Sequence, residues 1–315
     1  MKLIIQIPCL NEEHTLPQTL ADLPRHMDGV DAVETLVIDD GSTDRTVDVA
    51  RQHGVDHILR LTNTKGLAKA FYYGMNHALK LGADLIVNTD ADNQYHGGDI
   101  PRLIQPILEG KADIVIGDRR VETIRHFSPF KVFLQKFGSW VVRQLSGTQV
   151  PDATSGFRAY SREAALQMNV VSDFTYTVET IISAGKKNLA ISHIPVRTNP
   201  KLRESRLFPN IKTYLQRTLV TIIKVYSMYK PLKVFTLVGS ISFFTGFAIG
   251  VRFLFYYFQG QGQGHVQSLI LSAILLIVGF QIVMMGIAAE LIAVNRQLLE
   301  DIQVRVKKLE LDSRE

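Results

Sequence analysis

Two uncharged runs near the C-terminus constrain this chain more than any other feature. Residues 234–251 hold 18 positions without a charge, and residues 266–289 hold 24. At about 1.5 Å per helical residue they extend roughly 27 and 36 Å, and about 20 apolar residues cross a bilayer core. After FLFYYF, only QGQGQGH (259–265) separates them, so the pair predicts a hairpin of two spanning helices. Buried core helices are the alternative, but two such runs joined by a turn are hard to place inside a soluble protein of 315 residues. Lys212, Arg217, Lys224, Lys230 and Lys233 precede the first run, and Arg296, Arg305, Lys307 and Lys308 follow the second. The connecting loop carries no Lys or Arg, so both termini and the N-terminal body are expected on the cytoplasmic side of an integral membrane protein. Arg252, beside Tyr256 and Tyr257, is placed to reach the far interface.

The N-terminal body alternates apolar strand runs (3–7, 35–39, 57–61, 85–89 and 113–117) with helical patterns near 15–23, 43–53, 67–81 and 99–109. That alternation predicts an α/β fold: a mainly parallel sheet with helices on both faces. A formal net charge of +5 is too small and too dispersed to indicate nucleic-acid binding. The single cysteine, Cys9, rules out an intrachain disulfide; at a strand end it reads as an inert buried thiol. The histidines, among them His14, His26, His53, His77 and His96, lack ligand spacing. Residues 129–145 carry Phe130, Phe133, Phe137, Trp140 and Val141 at helical spacing, which suits a helix packed on the sheet or one lying on a membrane surface. Residues 207–232 repeat the pattern with basic residues on the other face and lead into the first run, which favours the interfacial role.

In such sheets ligands gather beyond the carboxyl ends of the strands. Three of those ends are chemically loaded: PCLNEE after the first strand, DDGSTD after the second and DADNQ after the fourth. In extended backbone, Asp90, Asp92 and Gln94 would share one face and offer hard oxygen donors suited to Mg²⁺ or Mn²⁺. A turn or helix cap is the plainer reading of the same residues. The twelfth position from Asp90 is Pro101, so an EF-hand is excluded. Ser42, Thr43 or Asp44 can cap the helix after the second strand, but capping does not explain the doubled Asp39-Asp40. Carboxylates at that strand end suit a ribose or base. Neither G-x-G-x-x-G after the first strand nor a G-x-x-x-x-G-K-[ST] loop is present, which argues against dinucleotide dehydrogenases and P-loop ATPases.

IPCLNEE, VIDDGSTDRT, TKGLAKAFYYGMNHA, NTDADNQY, IVIGDRR and DATSGFRAY occur in the order seen in family 2 glycosyltransferases. More narrowly, residues 1 to about 210 resemble the polyprenyl-phosphate branch typified by dolichol-phosphate mannosyltransferase, and the two-run tail is similar to that of membrane-anchored bacterial members. The resemblance implies a GT-A-like fold and an inverting, metal-dependent (Mg²⁺ or Mn²⁺) hexosyl transfer. The donor would be a UDP- or GDP-linked sugar and the acceptor a polyprenyl (undecaprenyl or dolichyl) phosphate. It implies a nucleotide pocket of Pro8, Leu10, Asn11, Glu12, Asp39, Asp40 and Asp90, with Asp92 and Gln94, bordered by Asp90, holding the metal. It puts Arg119 at the acceptor phosphate, Asp152 at the sugar site, and Arg203, Ser205 and Arg206 in a phosphate-binding loop. Of these, Asp92, Arg119 and Asp152 would be the catalytic set. One departure stands out: where well-studied members carry an Arg and, four residues later, a Ser to grip the acceptor phosphate, this chain has Lys131 and Gln135. Lysine neutralises phosphate without the bidentate fork of arginine.

The expected organisation is a catalytic domain over 1–206, amphipathic helices over 207–232, two transmembrane helices over 233–290 and a C-terminal helix over 291–315. That last segment suits either self-association or a helix on the membrane surface. A phosphate monoester is mostly dianionic at neutral pH and already nucleophilic, so Asp152 is expected to orient a hydroxyl or the acceptor and not to serve as an obligatory base. Arg158 is expected to pair with a carboxylate. Three rivals remain: transfer to another acceptor, a polysaccharide synthase, or a silent nucleotide-sugar sensor. The Q-x-x-R-W motif of processive synthases is absent, and a silent sensor would be expected to have lost Asp92 or Arg119, both of which are present.

Overall fold

The computed structural model describes residues 1–120, 129–170, 176–200, 220, 223–224 and 226–313, with backbone alone for 129–135, 262–263 and 312. The chain forms two units: Met1–Ile222 together with Gln303–Glu315, and Ile223–Ile302.

The first unit is built on a seven-stranded sheet in the order β3-β2-β1-β4-β6-β5-β7. β1 (Lys2–Cys9), β2 (Ala32–Asp39), β3 (His57–Arg60) and β4 (Leu85–Asn88) are mutually parallel. β5 (Ile114–Asp118) runs parallel to β7 (Ile191–Pro195), and β6 (Arg158–Ser161) lies antiparallel between β4 and β5. All five strand runs read from the sequence form strands. Leu3, Ile4, Ile5 and Ile7 of β1 are all fully buried, as a strand covered on both faces requires. The helices are α1 (Leu16–Ala21), α2 (Thr46–Gln52), α3 (Leu67–Lys80), α4 (Ile100–Leu108), α5 (Pro129–Ser146), α6 (Arg162–Gln167) and α7 (Tyr176–Lys186). One core cluster joins β1, α1 and α4, including Leu3, Ile5, Leu16, Leu20, Ile100 and Leu103. On α3, Gly74 is set so close to the sheet that a Cβ would lie 2.7 Å from Gln6 and Ile38 atoms.

β1 is flanked by β2 on one side and β4 on the other, so the topological switch point lies between β1 and β4 and opens a crevice at their carboxyl ends. On α5, Ser139 and Val142 are buried while Phe137 and Trp140 are about half exposed, with ring centroids 5.9 Å apart. One face therefore packs and the other presents aromatic surface.

The second unit contains α8 (Pro231–Phe258), a short 3-10 turn (Gly262–His265) and most of α9 (Val266–Asp312). The two uncharged runs lie within two long apolar helices. Only 11% of the most apolar window of α8 and 17% of that of α9 is buried, unlike the core helix of a soluble domain. Gly239, Gly246 and Gly279 let the two backbones approach: a Cβ on Gly279 would lie 2.7 Å from Phe243 N. Residues 291–312 continue α9 without a break.

Candidate active site

The loops after β1 and β2 are bound to each other by a set of short polar contacts. Asn11 adopts φ 56°. Its amide donates to Ser42 Oγ (2.9 Å), while its Oδ1 accepts from Thr43 N (2.8 Å). Glu12 N donates to Thr46 Oγ1 (2.8 Å), Glu13 N to Asp44 Oδ2 (3.2 Å) and Arg45 N to Glu13 Oε2 (3.1 Å). Asp44 also accepts from Thr46 N (2.9 Å), but it stands one residue ahead of the N-cap of α2, which is Arg45 and makes no side-chain cap, so the capping expected of Ser42, Thr43 or Asp44 is not found. Glu12 is buried and accepts from Thr15 Oγ1 (2.7 Å). Pro8 is buried in β1 opposite Ile38, and Leu10 is exposed beyond the strand end.

The doubled aspartate divides its work. Asp40 accepts from Lys65 N (2.7 Å) and Gly66 N (2.9 Å) with its two oxygens and so holds the loop ahead of α3. Gly41 (φ 82°) makes that approach possible, since a Cβ there would stand 2.9 Å from Thr64 N. Asp39 uses Oδ1 to accept from Ser42 N (2.9 Å). Its buried Oδ2 accepts no hydrogen bond from a described residue and forms an ion pair with Arg60 Nε at 3.3 Å. Of the pair, Asp39 is the one that keeps an oxygen without a hydrogen bond from a described residue.

After β4 the backbone is not extended, which corrects the alternating-face geometry expected of DADNQ. β4 stops at Asn88, a turn covers 91–92, and Asn93 has φ 53°. Gln94 N donates back to Asp92 Oδ1 (3.2 Å), a side-chain turn that aspartate favours and that a strand pattern does not anticipate. Asp90, Asp92 and Gln94 are brought together by this turn, all partly exposed. The Asp90 carboxylate accepts no hydrogen bond from any described residue. Burial, reinforced by the Asp92 charge and only partly opposed by Arg119, pushes Asp90 up to about 7. Two crowded carboxylates and one amide oxygen form a hard donor set that fits a divalent cation, with no third acidic, His or Cys side chain converging among the described residues.

Arg119 and Asp152 face the same crevice and are bonded to each other. Arg119 Nε donates to Asp152 Oδ2 (2.7 Å), and Nη2 donates to Asp152 Oδ1 (3.0 Å) and Thr154 Oγ1 (2.7 Å). Both are buried. Burial acts to raise Asp152, but the Arg119 guanidinium and the Thr154 hydroxyl and amide more than offset it, so the carboxyl is held below its usual range. With both oxygens engaged, Asp152 is a poor base. Arg119 Nη1 has no partner among the described residues.

Behind this pair, Tyr95 OH accepts from Gly156 N (2.9 Å), and burial pushes its hydroxyl up to about 12. Asn88 donates to Gly156 O and Tyr176 OH, both at 2.9 Å, and accepts from Gln6 Nε2 (3.0 Å). Gly156 backs directly onto Asp90: a Cβ there would lie 2.9 Å from Oδ1 and 3.1 Å from Oδ2. Arg158 is fully buried and donates to carbonyl and hydroxyl oxygens; the carboxylate partner expected of it is absent among the described residues. Asn88, Tyr95, Thr154 and Gly156 carry no site pattern of their own in the sequence. Their only signal was membership of NTDADNQY and DATSGFRAY.

The strap after β7 closes the metal-ready side. Arg197 pairs with buried Asp99 through Nε (3.0 Å) and Nη2 (2.8 Å), and Asn199 N donates to Gln94 O (2.9 Å). Arg203, Ser205 and Arg206 lie outside the described residues, as do the side chains of Lys131 and Gln135, whose backbone belongs to α5. Cys9 is buried, its thiol pushed well up by burial, in keeping with an inert role.

The family model for glycosyl transferase family 2 matches residues 4–167. An uncharacterized protein of Methanocaldococcus jannaschii is 30% identical over 203 residues, covering 62% of this chain and 81% of its own. An undecaprenyl-phosphate mannosyltransferase of Micrococcus luteus is 29% identical over 218 residues, covering 66% of this chain and 88% of its own. Among solved structures, glucosyl-3-phosphoglycerate synthase from Mycobacterium tuberculosis, in complex with Mn²⁺, UDP and glucosyl-3-phosphoglycerate, superposes with a TM-score of 0.55. It is 19% identical, over 72% of this chain and 78% of that one, a likeness of fold.

Proposed function

The chain belongs to glycosyl transferase family 2, and from that premise we propose that it is a metal-dependent enzyme that transfers a sugar, with inversion, from a nucleotide-sugar donor to a phosphate-bearing acceptor. The observation that carries the metal and donor reading is the Asp90 carboxylate, which accepts no hydrogen bond from a described residue and is pushed up to about 7 by burial and the neighbouring Asp92 at the switch point. Such a pair is costly to keep ionised without a cation, so the turn makes physical sense as a metal seat. The M. tuberculosis enzyme of similar fold carries Mn²⁺ with its nucleotide.

In this reading Asp92 and Gln94 would hold Mn²⁺ or Mg²⁺ for the donor diphosphate, and Asp90 would border the nucleoside. The metal supplies charge neutralisation for the departing nucleoside diphosphate. Pro8, Leu10, Asn11, Glu12 and Asp39 line the nucleoside pocket, and Asp40 shapes it by fixing the Lys65–Gly66 backbone. Asp152, ionised and clamped, orients the sugar or acceptor. The acceptor phosphate is its own nucleophile, so no proton need pass to Asp152 at the moment of attack. Arg119 Nη1 is left to meet an acceptor oxygen. Lys131, Gln135, Arg203, Ser205 and Arg206 complete the phosphate contacts; Arg203 follows Asn199, which is bonded to Gln94, by only four positions.

Two acceptors are consistent with this chemistry. A polyprenyl phosphate is supported by α8 and α9, whose apolar surfaces are largely uncovered, and by the M. luteus relative that carries undecaprenyl phosphate in its name. In that case α8 and α9 anchor the enzyme in the bilayer, and the half-exposed Phe137 and Trp140 rest on its cytoplasmic face. A different phosphorylated acceptor is supported by the fold shared with a phosphoglycerate-glucosylating enzyme. The test is to incubate the full-length protein in detergent with Mn²⁺ and labelled UDP- and GDP-sugars, offering undecaprenyl phosphate in one arm and 3-phosphoglycerate in the other. Label entering the organic phase, abolished by Asp92→Ala, supports the polyprenyl acceptor. Label retained in a new aqueous product supports the second reading. No transfer in either arm, despite metal-dependent nucleotide binding, would favour a silent sensor.

A further inference from the structure

Arg158, the first residue of β6, is fully buried, yet every group it bonds among the described residues is neutral. Nε donates to Ser155 O (2.7 Å) and Nη2 to Ala153 O (3.0 Å). Nη1 donates to Thr177 O (2.9 Å) and Thr180 Oγ1 (2.7 Å), both in the first turns of α7. A guanidinium removed from water and given only neutral acceptors retains much of its desolvation cost, which an apolar residue of similar volume would avoid. Strand pairing does not explain it either, because β6 needs only the backbone of Arg158 opposite Asn88 and Ile116.

What the guanidinium holds is the loop between α5 and β6. Ala153 and Ser155 flank Thr154, which together with Asp152 receives Arg119. The next residue, Gly156, presses on Asp90 and is itself tied to Tyr95 and Asn88. Ala153 N donates to Ser139 Oγ of α5 (3.1 Å). One short loop thus sets the position of Asp152 on one side of the crevice and of Asp90 on the other. Arg158 is the side chain that ties its carbonyls to α7. Its positive charge also lies near enough to Asp90 to favour the ionised carboxylate.

We propose that Arg158 is a positioning residue for sugar transfer: through the carbonyls of Ala153 and Ser155 it fixes the 152–156 loop, so that Asp152 stays engaged with Arg119 while Gly156 stays against Asp90. Arginine is required because only its planar fork reaches both loop carbonyls and α7 at once. This inference rests on the transferase reading above. A misplacement on the scale of 1 Å costs about 10²-fold in rate while leaving ground-state binding largely intact.

The test compares wild type, Arg158→Gln and Arg158→Lys as full-length proteins in detergent. Turnover is read as nucleoside diphosphate released from the sugar nucleotide, and affinity as Mn²⁺-dependent binding of UDP and GDP. Arg158→Gln is expected to lose about 10²-fold in kcat with nucleotide affinity within about threefold of wild type. Arg158→Lys is expected to recover about tenfold of that loss, keeping the charge without the fork. Turnover by Arg158→Gln at the wild-type rate overturns the proposal. So does a fall in kcat matched by an equal fall in nucleotide affinity, the mark of a general prop. If Arg158→Gln does not fold, Thr180→Val removes one of the four acceptors; a severalfold drop in kcat with unchanged nucleotide affinity supports the proposal, and an unchanged kcat overturns it. Wild-type protein that releases no nucleoside diphosphate with any donor and acceptor overturns the transferase reading itself, a result separate from the behaviour of the variants.

Discussion

Arg119 and Asp152 form a buried two-point ion pair, Nε to Oδ2 at 2.7 Å and Nη2 to Oδ1 at 3.0 Å, across a sequence separation of 33 residues. Removing one partner leaves the other charge buried, at a cost of about 3–5 kcal/mol, whereas removing both costs less than the sum. Arg119→Met is therefore expected to destabilise the protein strongly, and Arg119→Met with Asp152→Asn to recover part of the loss. A denaturant double-mutant cycle in detergent measures the coupling. Asp152 is held below its ordinary value of about 3.9. The stability it contributes is present above that value and is lost only as pH falls below it. Between pH 5 and 9 the coupling should be constant. On the proposed reading Asp152 is not required as a base, so Asp152→Asn should keep measurable turnover where Asp92→Ala keeps none.

Asp90 has the opposite sign. Its folded value of about 7 lies above the unfolded value of about 3.9, so the folded state keeps a proton that the unfolded state has released. Stability falls as pH rises through that window, and the whole penalty is in place above pH 7. Asp90→Asn escapes it. In chelator, the variant should melt above wild type at pH 8 and converge with it near pH 4. At about 2–4 °C per kcal/mol for a domain of this size, a gain of a few degrees is expected. Adding Mn²⁺ should raise the melting temperature of wild type and leave Asp90→Asn less affected. A variant that melts below wild type at pH 8 would contradict the strained-carboxylate picture.

Gly156 offers a way to move Asp90 without changing its charge. A Cβ there would stand 2.9 Å from Oδ1 and 2.9 Å from Tyr176 OH, closer than side-chain carbons pack. Gly156→Ala is expected to weaken Mn²⁺-dependent UDP or GDP binding by about tenfold or more, with a destabilisation of about 1–3 kcal/mol from overpacking. Titration calorimetry beside thermal melts separates the two effects. Gly54→Ala is the control for glycine loss alone: its φ is 68° but its Cβ position is open, so it should cost stability and leave nucleotide affinity unchanged.

The parallel strands were legible because burial on both faces writes a nearly continuous apolar run, as in Leu3–Ile7, broken only by Gln6, and Leu85–Val87. β6 was not, because its four residues, RAYS, begin with a buried arginine held by its own preceding loop and by α7, which no strand pattern records. β7 (ISHIP) is short and only half-buried, with little pattern to show. The clustering of Asp39, Asp90 and Asp92 at strand ends was visible because parallel topology forces those ends together. The way Asp90 and Asp92 meet was not, since it depends on the positive φ of Asn93 and on Gln94 bonding back to Asp92. Asp39 and Asp40 looked equivalent in sequence. Only the loop before α3, returning from 25 residues away to occupy both oxygens of Asp40, tells them apart.

The membrane reading of α8 and α9 can be tested with the chain's own chemistry. Cys9 is buried and its thiol is pushed well above the ordinary range, so it should resist modification in the folded protein, and Cys9→Ser removes it altogether. On that background, single cysteines at Gln261, between the helices, and at Ser313, beyond α9, report the two ends of the hairpin. Lys230 just before α8 and Lys233 in its first turn, with Arg305, Lys307 and Lys308 late in α9, leave the intervening turn without a Lys or Arg. In intact cells Gln261→Cys is expected to react with a membrane-impermeant maleimide, and Ser313→Cys only after lysis. Reaction at neither position before lysis would remove the spanning hairpin. Reaction at both would overturn the expected orientation of the C-terminus. Carbonate extraction of the wild-type protein adds an independent reading: a chain held by two spans of about 27 Å or more stays with the membrane, whereas one held only by basic residues at a leaflet surface is released by salt.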